Sequence, residues 1–197
     1  MVKNIVFDLG NVLVEFNVDK MIHHFFSSNH EEVKDFYFTS LWNEYDQGLH
    51  SKEEMVEMGV KRFPKLKDEI NTLMENWTQF VLPIKNNIEY LKALRKMGYH
   101  VYILSNIPED DTLYLKSLGV FDSINGGIFS YQVKMIKPDK RIYECLLDTY
   151  HLYASDCLFL DDRKDNILAA KSLGFHVIHV DDVNQVIRKV EEVIHEV

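Results

Sequence analysis

The sequence has 197 residues, 46% of them apolar and 27% charged, which is ordinary globular composition. That length suits one domain, or one domain carrying an insertion, and needs no disulfide to hold a core. A net charge of −9, from 22 Lys and Arg against 31 Asp and Glu, argues against a nucleic-acid partner, and no uncharged stretch reaches the roughly 18 residues of a membrane helix.

The first apolar segment, Lys3–Asp8, reads as a strand ending in an acid. From Phe16 to Leu82 the pattern is helical, with no convincing strand, and both tryptophans, Trp42 and Trp77, fall inside it. The spacing then predicts a helix through Ile88, Leu91, Leu94 and Met97, stopped by Gly98, and a strand over His100–Ser105. A second helix ends at Leu118-Gly119, and Asn125-Gly126-Gly127 reads as a turn. A third helix runs from about Asp139 through Ile142, Tyr143, Leu146, Leu147 and Tyr150. It is followed by a strand over Cys157–Asp161 and a fourth helix carrying Ile167, Ala170 and Leu173. The strand-like Phe175–Val180 and a last helix from Val183 to Ile194 complete the chain.

Short apolar strands alternating with Gly-terminated helices predict an α/β fold, a Rossmann-like parallel sheet flanked by helices. The break in rhythm predicts an inserted all-helical unit. The expected division is a core of residues 1–15 and 83–197 and a helical cap of residues 16–82, hinged near Phe16-Asn17 and Pro83. The apolar start holds Asp8 and no small-residue cleavage site, so no signal peptide is expected. Cys145 and Cys157 read as reduced thiols, and a cytoplasmic location is the expectation.

Ligands of an open parallel sheet bind at the carboxyl ends of its strands. Those ends carry Asp8, Ser105-Asn106 and Asp161-Asp162, and the loop before the third helix carries Lys137. Two carboxylates from different strands offer the hard oxygens that Mg²⁺ prefers. A carboxylate can attack phosphorus, a hydroxyl can bind phosphoryl oxygens, and a lysine can offset the crowded negative charge. Each feature alone is also compatible with turn or cap chemistry. The coincidence of four at one edge is what points to a site.

The segments Phe7-Asp-Leu-Gly-Asn-Val-Leu-Val14, Leu104-Ser-Asn106, Ile136-Lys-Pro-Asp139 and Leu158-Phe-Leu-Asp-Asp-Arg-Lys-Asp-Asn166 resemble the four ordered motifs of the haloacid dehalogenase superfamily. The helical insertion resembles its C1-type cap. The first motif and the paired acids look closest to the bacterial α-D-glucose-1-phosphate phosphatase branch, and the last motif is also similar to the phosphatase domain of soluble epoxide hydrolase. The resemblance implies an Mg²⁺-dependent phosphatase acting on a small phosphorylated molecule, with an aspartyl-phosphate intermediate. Asp8 would be nucleophile and metal ligand, and Gly10 would give its carbonyl to the metal. Ser105 and Asn106 would bind the phosphoryl group, and Lys137 would stabilise both nucleophile and phosphate. Asp162 would be the main metal-ligating acid, with Asp161 and Asn166 supporting it.

One position departs from the pattern. Most phosphatases of this superfamily carry a second Asp two residues after the nucleophile, as general acid and base. Here that residue is Gly10. Either the leaving group needs little protonation, as in an anomeric sugar phosphate, or a cap residue or water substitutes, or turnover is weak. Glu15, Glu44 and Asp46 are the candidates in or beside the cap, and Trp42, Tyr45 and Asp46 could face the site. A metal-independent 2-haloacid dehalogenase and a catalytically weak phosphate-binding protein are the alternatives. A signalling receiver domain fits less well, because receivers place the paired acids on the first strand.

Overall fold

The computed structural model describes residues 2–196. The chain opens with β1 (Asn4–Phe7), turns back through β2 (Val14–Phe16), and enters helices α1 (Val18–Phe25), α2 (His30–Phe36), α3 (Trp42–Asp46), α4 (Lys52–Arg62) and α5 (Lys67–Asn76). It returns through β3 (Val81–Pro83), then α6 (Lys85–Lys96), β4 (His100–Ser105), α7 (Glu109–Ser117) and β5 (Gly126–Phe129). A short α8 (Ser130–Val133) leads to α9 (Lys140–Tyr150), β6 (Cys157–Asp161), α10 (Lys164–Ser172), β7 (His176–His179) and α11 (Val186–Glu196).

Five strands form one parallel sheet in the order β5-β4-β1-β6-β7. The central β1 is buried along its whole length, as its unbroken apolar run requires of a strand covered on both faces. Alternation divides the sheet residues between two apolar layers. Ile5, Phe7, Val101, Ile103, Leu158 and Leu160 pack with Leu91 and Leu94 of α6, Val186 and Val190 of α11, and the helices between β2 and β3. Val6, Tyr102, Leu104 and Phe159 pack on the opposite face against Ile142, Tyr143 and Leu146 of α9 and Ile167 and Ala170 of α10. The result is a three-layer α/β/α arrangement.

Local chemistry fixes the helix ends. Asp139 caps α9 by accepting the Arg141 amide at 3.0 Å. After α6, Gly98 adopts a φ of 97°, which its missing Cβ allows without strain. The capping box of α4 uses Ser51 and Glu54 reciprocally.

Two local expectations are corrected. Gly126 and Gly127 do not form a turn; they begin edge strand β5, in register with Tyr102 and Ile103. A Cβ on Gly126 would lie 2.5 Å from the Tyr150 ring, and the Tyr150 hydroxyl accepts the Gly127 amide at 2.8 Å. Close approach of Tyr150 at Gly126 and of Ile103 at Gly127 selects these glycines, so a turn-like composition hides a strand. The stretch from Phe16 to Leu82 is also not free of strand. Phe16 pairs with Val81 and Glu15 with Leu82 in an antiparallel two-stranded ribbon. Three residues on each side are too few to show a period. The ribbon brings together the two crossings that lead into and out of the helical segment.

Candidate active site

The β1 ladder continues one residue past the strand, where the Asp8 amide donates to the Leu160 carbonyl at 2.9 Å. Asp8 is thereby held at the carboxyl end of the central strand, between β4 and β6, where the chain crosses from one half of the sheet to the other. Its Oδ1 accepts the Leu9 amide at 2.7 Å and lies 2.8 Å from Lys137 Nζ. Lys137 Nζ also donates to Asp161 Oδ2 at 2.7 Å. The lysine side chain is 1% exposed and that of Asp161 0%, so this is a buried cation bridging two carboxylates. Asn106 fixes the lysine's backbone from both sides: its Oδ1 accepts the Lys137 amide at 2.8 Å and its Nδ2 donates to the Lys137 carbonyl at 3.0 Å. The Asn106 side chain is thus committed to positioning Lys137.

Asp161 is fully engaged. Its Oδ1 accepts the Arg163 amide at 2.8 Å, and Asn166 Nδ2 bridges its two oxygens at 2.9 and 3.0 Å. Asn166 is itself held where Tyr143 donates to its carbonyl at 3.0 Å. Asp162, half-buried, accepts Asn11 Nδ2 at 3.0 Å on Oδ2. Asn11 has a φ of 52°, a left-handed conformation that Asn tolerates. Sequence reasoning passed over Asn11, although an Asn directly after Gly10 is a turn signal.

One oxygen each of Asp8, Asp161 and Asp162 lie within 4.8 Å of one another. Three hard oxygen donors at that spacing suit a cation such as Mg²⁺. The hydrogen bonds sort them: Asp161 is taken up by Lys137, Asn166 and the Arg163 amide, which leaves Asp8 and Asp162 as the acids able to ligate. Burial pushes the Asp8 carboxyl up to about 7; Lys137 opposes this, while Asp161 and Asp162 add to it. Burial also raises Asp162 above the ordinary carboxylate value, against the Asn11 hydrogen bond. Burial works against the Lys137 ammonium, but Asp161 and Asp8 outweigh it and hold its pKa above the usual one. The lysine therefore stays charged, and a second cation would complete the neutralisation of the carboxylates.

Beside this cluster lies a cavity of about 120 Å³ lined by Gly10, Ser105, Asn106, Trp42, Asp46 and Asp111, with Phe16 and Trp77 also on its wall. Ser105, the last residue of β4, is 2% exposed. A Cβ on Gly10 would meet nothing within 4 Å. A larger groove of about 480 Å³ lies between Tyr45 and Lys134 and includes none of the strand-end residues. Of the three acids considered as substitutes at Gly10, only Asp46 lines the smaller cavity. Glu15 is exposed, and Glu44 is paired with His50 at 2.7 Å.

Trp42 both packs and faces the cavity: it stacks on Phe38 at 4.3 Å and meets Trp77 edge-on at 5.0 Å. Sequence reasoning missed Asp110 and Asp111 in the first turn of α7. Asp110 Oδ2 accepts the Tyr45 hydroxyl at 2.8 Å and Trp77 Nε1 at 3.0 Å, tying the helical segment to the sheet. The only local signal was the run of acids that starts α7, which also suits a helix N-terminus.

This arrangement has close relatives. Residues 2–174 match the haloacid dehalogenase-like hydrolase family. A D-ribitol-5-phosphate phosphatase of Bacteroides thetaiotaomicron is 29% identical over 193 residues, covering 89% of this chain and 90% of that protein. A sesquiterpene phosphatase of Aspergillus oryzae is 25% identical over 183 residues, covering 91% and 90%. Among solved structures, a haloacid dehalogenase family enzyme of B. thetaiotaomicron, complexed with magnesium and inorganic phosphate, is 22% identical. It superimposes with a TM-score of 0.79 over 91% of this chain and 94% of that one. In the described residues, no helix is long and apolar enough to cross a membrane. With an acid at the end of the central strand, a buried lysine beside it and a matching fold around both, the chain belongs to the haloacid dehalogenase-like hydrolases.

Proposed function

We propose that the protein is an Mg²⁺-dependent phosphatase of small phosphate monoesters that works through an aspartyl-phosphate on Asp8. The observation that carries this reading is Lys137, buried and bridging Asp8 and Asp161, with Asp162 within reach of the same point. Asp8 Oδ1 is occupied by Lys137 and the Leu9 amide, so Oδ2 is the oxygen that attacks phosphorus. Lys137 opposes protonation of the nucleophile and draws in the phosphoryl oxygens, which Ser105 and the Asn106 backbone also bind. Asp8, Asp162 and the Gly10 carbonyl would hold the Mg²⁺, which would supply charge neutralisation at the phosphoryl group. Asp161 and Asn166 hold the lysine in place.

The helices of residues 16–82 act as a cap that screens the reacting atoms from water. Trp42, Trp77 and Phe16 on the cavity wall suit the carbon face of a polyol or sugar, and the two cavity carboxyls suit its hydroxyls. A sugar or polyol phosphate is the favoured substrate class. This choice agrees with the substrate named for the B. thetaiotaomicron relative, and a cytoplasmic location with such a substrate.

The test is phosphate release over a panel of sugar, polyol, nucleotide and prenyl phosphates, with and without Mg²⁺. Turnover that EDTA abolishes, and that Asp8→Asn reduces by on the order of 10⁴-fold or more, is expected. Robust release by that variant sinks the nucleophile assignment. Halide release from a 2-haloacid that survives EDTA replaces the reading with dehalogenation.

A further inference from the structure

An alkoxide leaving group must be protonated as it departs, and water must lose a proton as it attacks the phosphoenzyme. The strand-end carboxylates are unsuited to either task. Asp8 and Asp161 share Lys137, and Asp162 is bonded to Asn11. At Gly10 there is no side chain at all, only open space that continues into the cavity. Two carboxyls line that cavity, Asp46 from the helical segment and Asp111 from α7.

We propose that Asp46 is the general acid and base of this enzyme, with Asp111 as the positioning residue that keeps a proton on it. The proposal rests on the phosphatase reading above and adds the group that completes it.

Four observations carry it. The backbone of Asp46 is anchored next to the loop that follows Ser105-Asn106, at the cavity wall. Buried Ser130 accepts the Ile107 amide at 2.8 Å and donates to the Asp46 carbonyl, so the end of α3 is tied to the residues after Ser105-Asn106. Next, Asp111 is 6% exposed and its Oδ1 has no hydrogen-bond partner among the described residues, although Asp111 lines the cavity. A buried polar atom left unpaired is costly unless something bound there satisfies it. Third, the charged groups facing Asp46 are mostly acids: Asp110 and Asp111 from α7 and Asp8 from β1, with Arg163 the opposing cation. Burial comes first and these carboxylates next in raising Asp46 well above the ordinary value. Fourth, burial and then Asp110 push Asp111 up to about 8. A carboxyl that holds its proton at neutral pH is what a general acid needs.

The steps balance as follows. An Asp8 oxygen bonds to phosphorus as the bond from phosphorus to the leaving oxygen breaks, and its electron pair takes the Asp46 proton, releasing the alcohol. The Asp46 carboxylate then removes a proton from water as the water oxygen bonds to phosphorus. The bond from phosphorus to Asp8 breaks with its pair returning to Asp8, and inorganic phosphate departs.

The experiment compares wild type and Asp46→Asn on p-nitrophenyl phosphate, phenyl phosphate and glycerol 3-phosphate, in single-turnover and steady-state modes with Mg²⁺. Wild-type phosphorylation rates are expected to vary little with leaving-group acidity. Asp46→Asn should lose on the order of 10²–10⁴-fold on glycerol 3-phosphate. On p-nitrophenyl phosphate it should keep a stoichiometric burst followed by slow turnover, because p-nitrophenolate departs unprotonated while dephosphorylation still lacks its base. In Asp111→Asn the alkaline limb of kcat on phenyl phosphate should move to lower pH. Equal losses on all three esters, or none, overturn the assignment of Asp46, and an unmoved limb overturns that of Asp111. Wild type inactive on every ester of this set and of the wider panel overturns the phosphatase reading itself, and this one with it.

Discussion

Two sets of carboxylates lie side by side in this protein and are treated oppositely. At the strand ends, Asp8 and Asp161 are bridged by a buried lysine, and Asp161 accepts further bonds from Asn166 and the Arg163 amide. In the adjoining cavity, no buried lysine bridges Asp46 and Asp111 among the described residues; Arg163 opposes the acids around Asp46, and Asp111 leaves an oxygen without a hydrogen-bond partner there. Water-poor surroundings penalise charge in both places. The first set meets the penalty with positive charge, since the buried Lys137 opposes the rise that burial imposes on Asp8. The second meets it by keeping protons. One fold thus holds two kinds of acid environment side by side, distinguished by what stands next to each carboxyl.

That contrast can be broken most strongly at Lys137. In Lys137→Met, Asp8 and Asp161 stay buried without their cation, so unfolding free energy should fall by about 3–5 kcal/mol, with activity lost as well. Urea denaturation measures it; a stability unchanged within error would mean that the two acids protonate freely and that the strand-end set resembles its neighbour. Next in size is the response to metal. Mg²⁺ at about 100 times its Kd should stabilise wild type by about 2.7 kcal/mol. Asp162→Asn should lose most of that response, and Asp46→Asn should keep it, as read by melting temperature across a titration. Equal loss in both variants would merge the two sets into one metal site.

The cavity set should show itself in the pH dependence of stability. Asp111 has an ordinary value of 3.8 when unfolded and about 8 when folded. Between those values the folded chain holds a proton that the unfolded chain has released. Stability must therefore fall as pH rises through the window, by at most about 1.4 kcal/mol per pH unit from this group. Asp111→Asn should flatten the slope between pH 5 and pH 8 in denaturation experiments, and an unaltered slope would place the proton elsewhere. The smallest effect is expected at the tie between the two regions. Tyr45→Phe removes one of the two hydrogen bonds that the helical segment donates to Asp110 and should cost about 1 kcal/mol, a drop of roughly 2–4 °C in melting temperature.

Much of this arrangement is legible in the chain. The strands His100–Ser105 and Cys157–Asp161 are visible as apolar runs because a strand covered on both faces must be apolar throughout. Asp8, Ser105 and Asp161-Asp162 stand out because they end those runs. Where local composition and tertiary contact disagree, the sequence misleads. Gly126 and Gly127 read as a turn, yet they are strand residues: Tyr150, distant in sequence, packs where a Gly126 side chain would be, and Ile103 of the neighbouring strand crowds the same position on Gly127. The two-stranded ribbon of β2 and β3 is invisible because each half is three residues long and its partner lies across the helical segment.

The sequence by itself determined the parallel sheet and the acids at its strand ends, since periodicity and chain order are local properties. Only the tertiary structure decided how those acids differ. Asp161 and Asp162 are adjacent in the chain, yet one is locked by Lys137 and Asn166 and the other is bonded only to Asn11 among the described side chains. Asp110 and Asp111 look like solvated helix residues, and Asp46 like one candidate among three acids, until α3 and α7 fold against each other. The reason is physical: a carboxyl's charge state is set by burial and by neighbours within a few ångströms, and those neighbours arrive from distant parts of the chain.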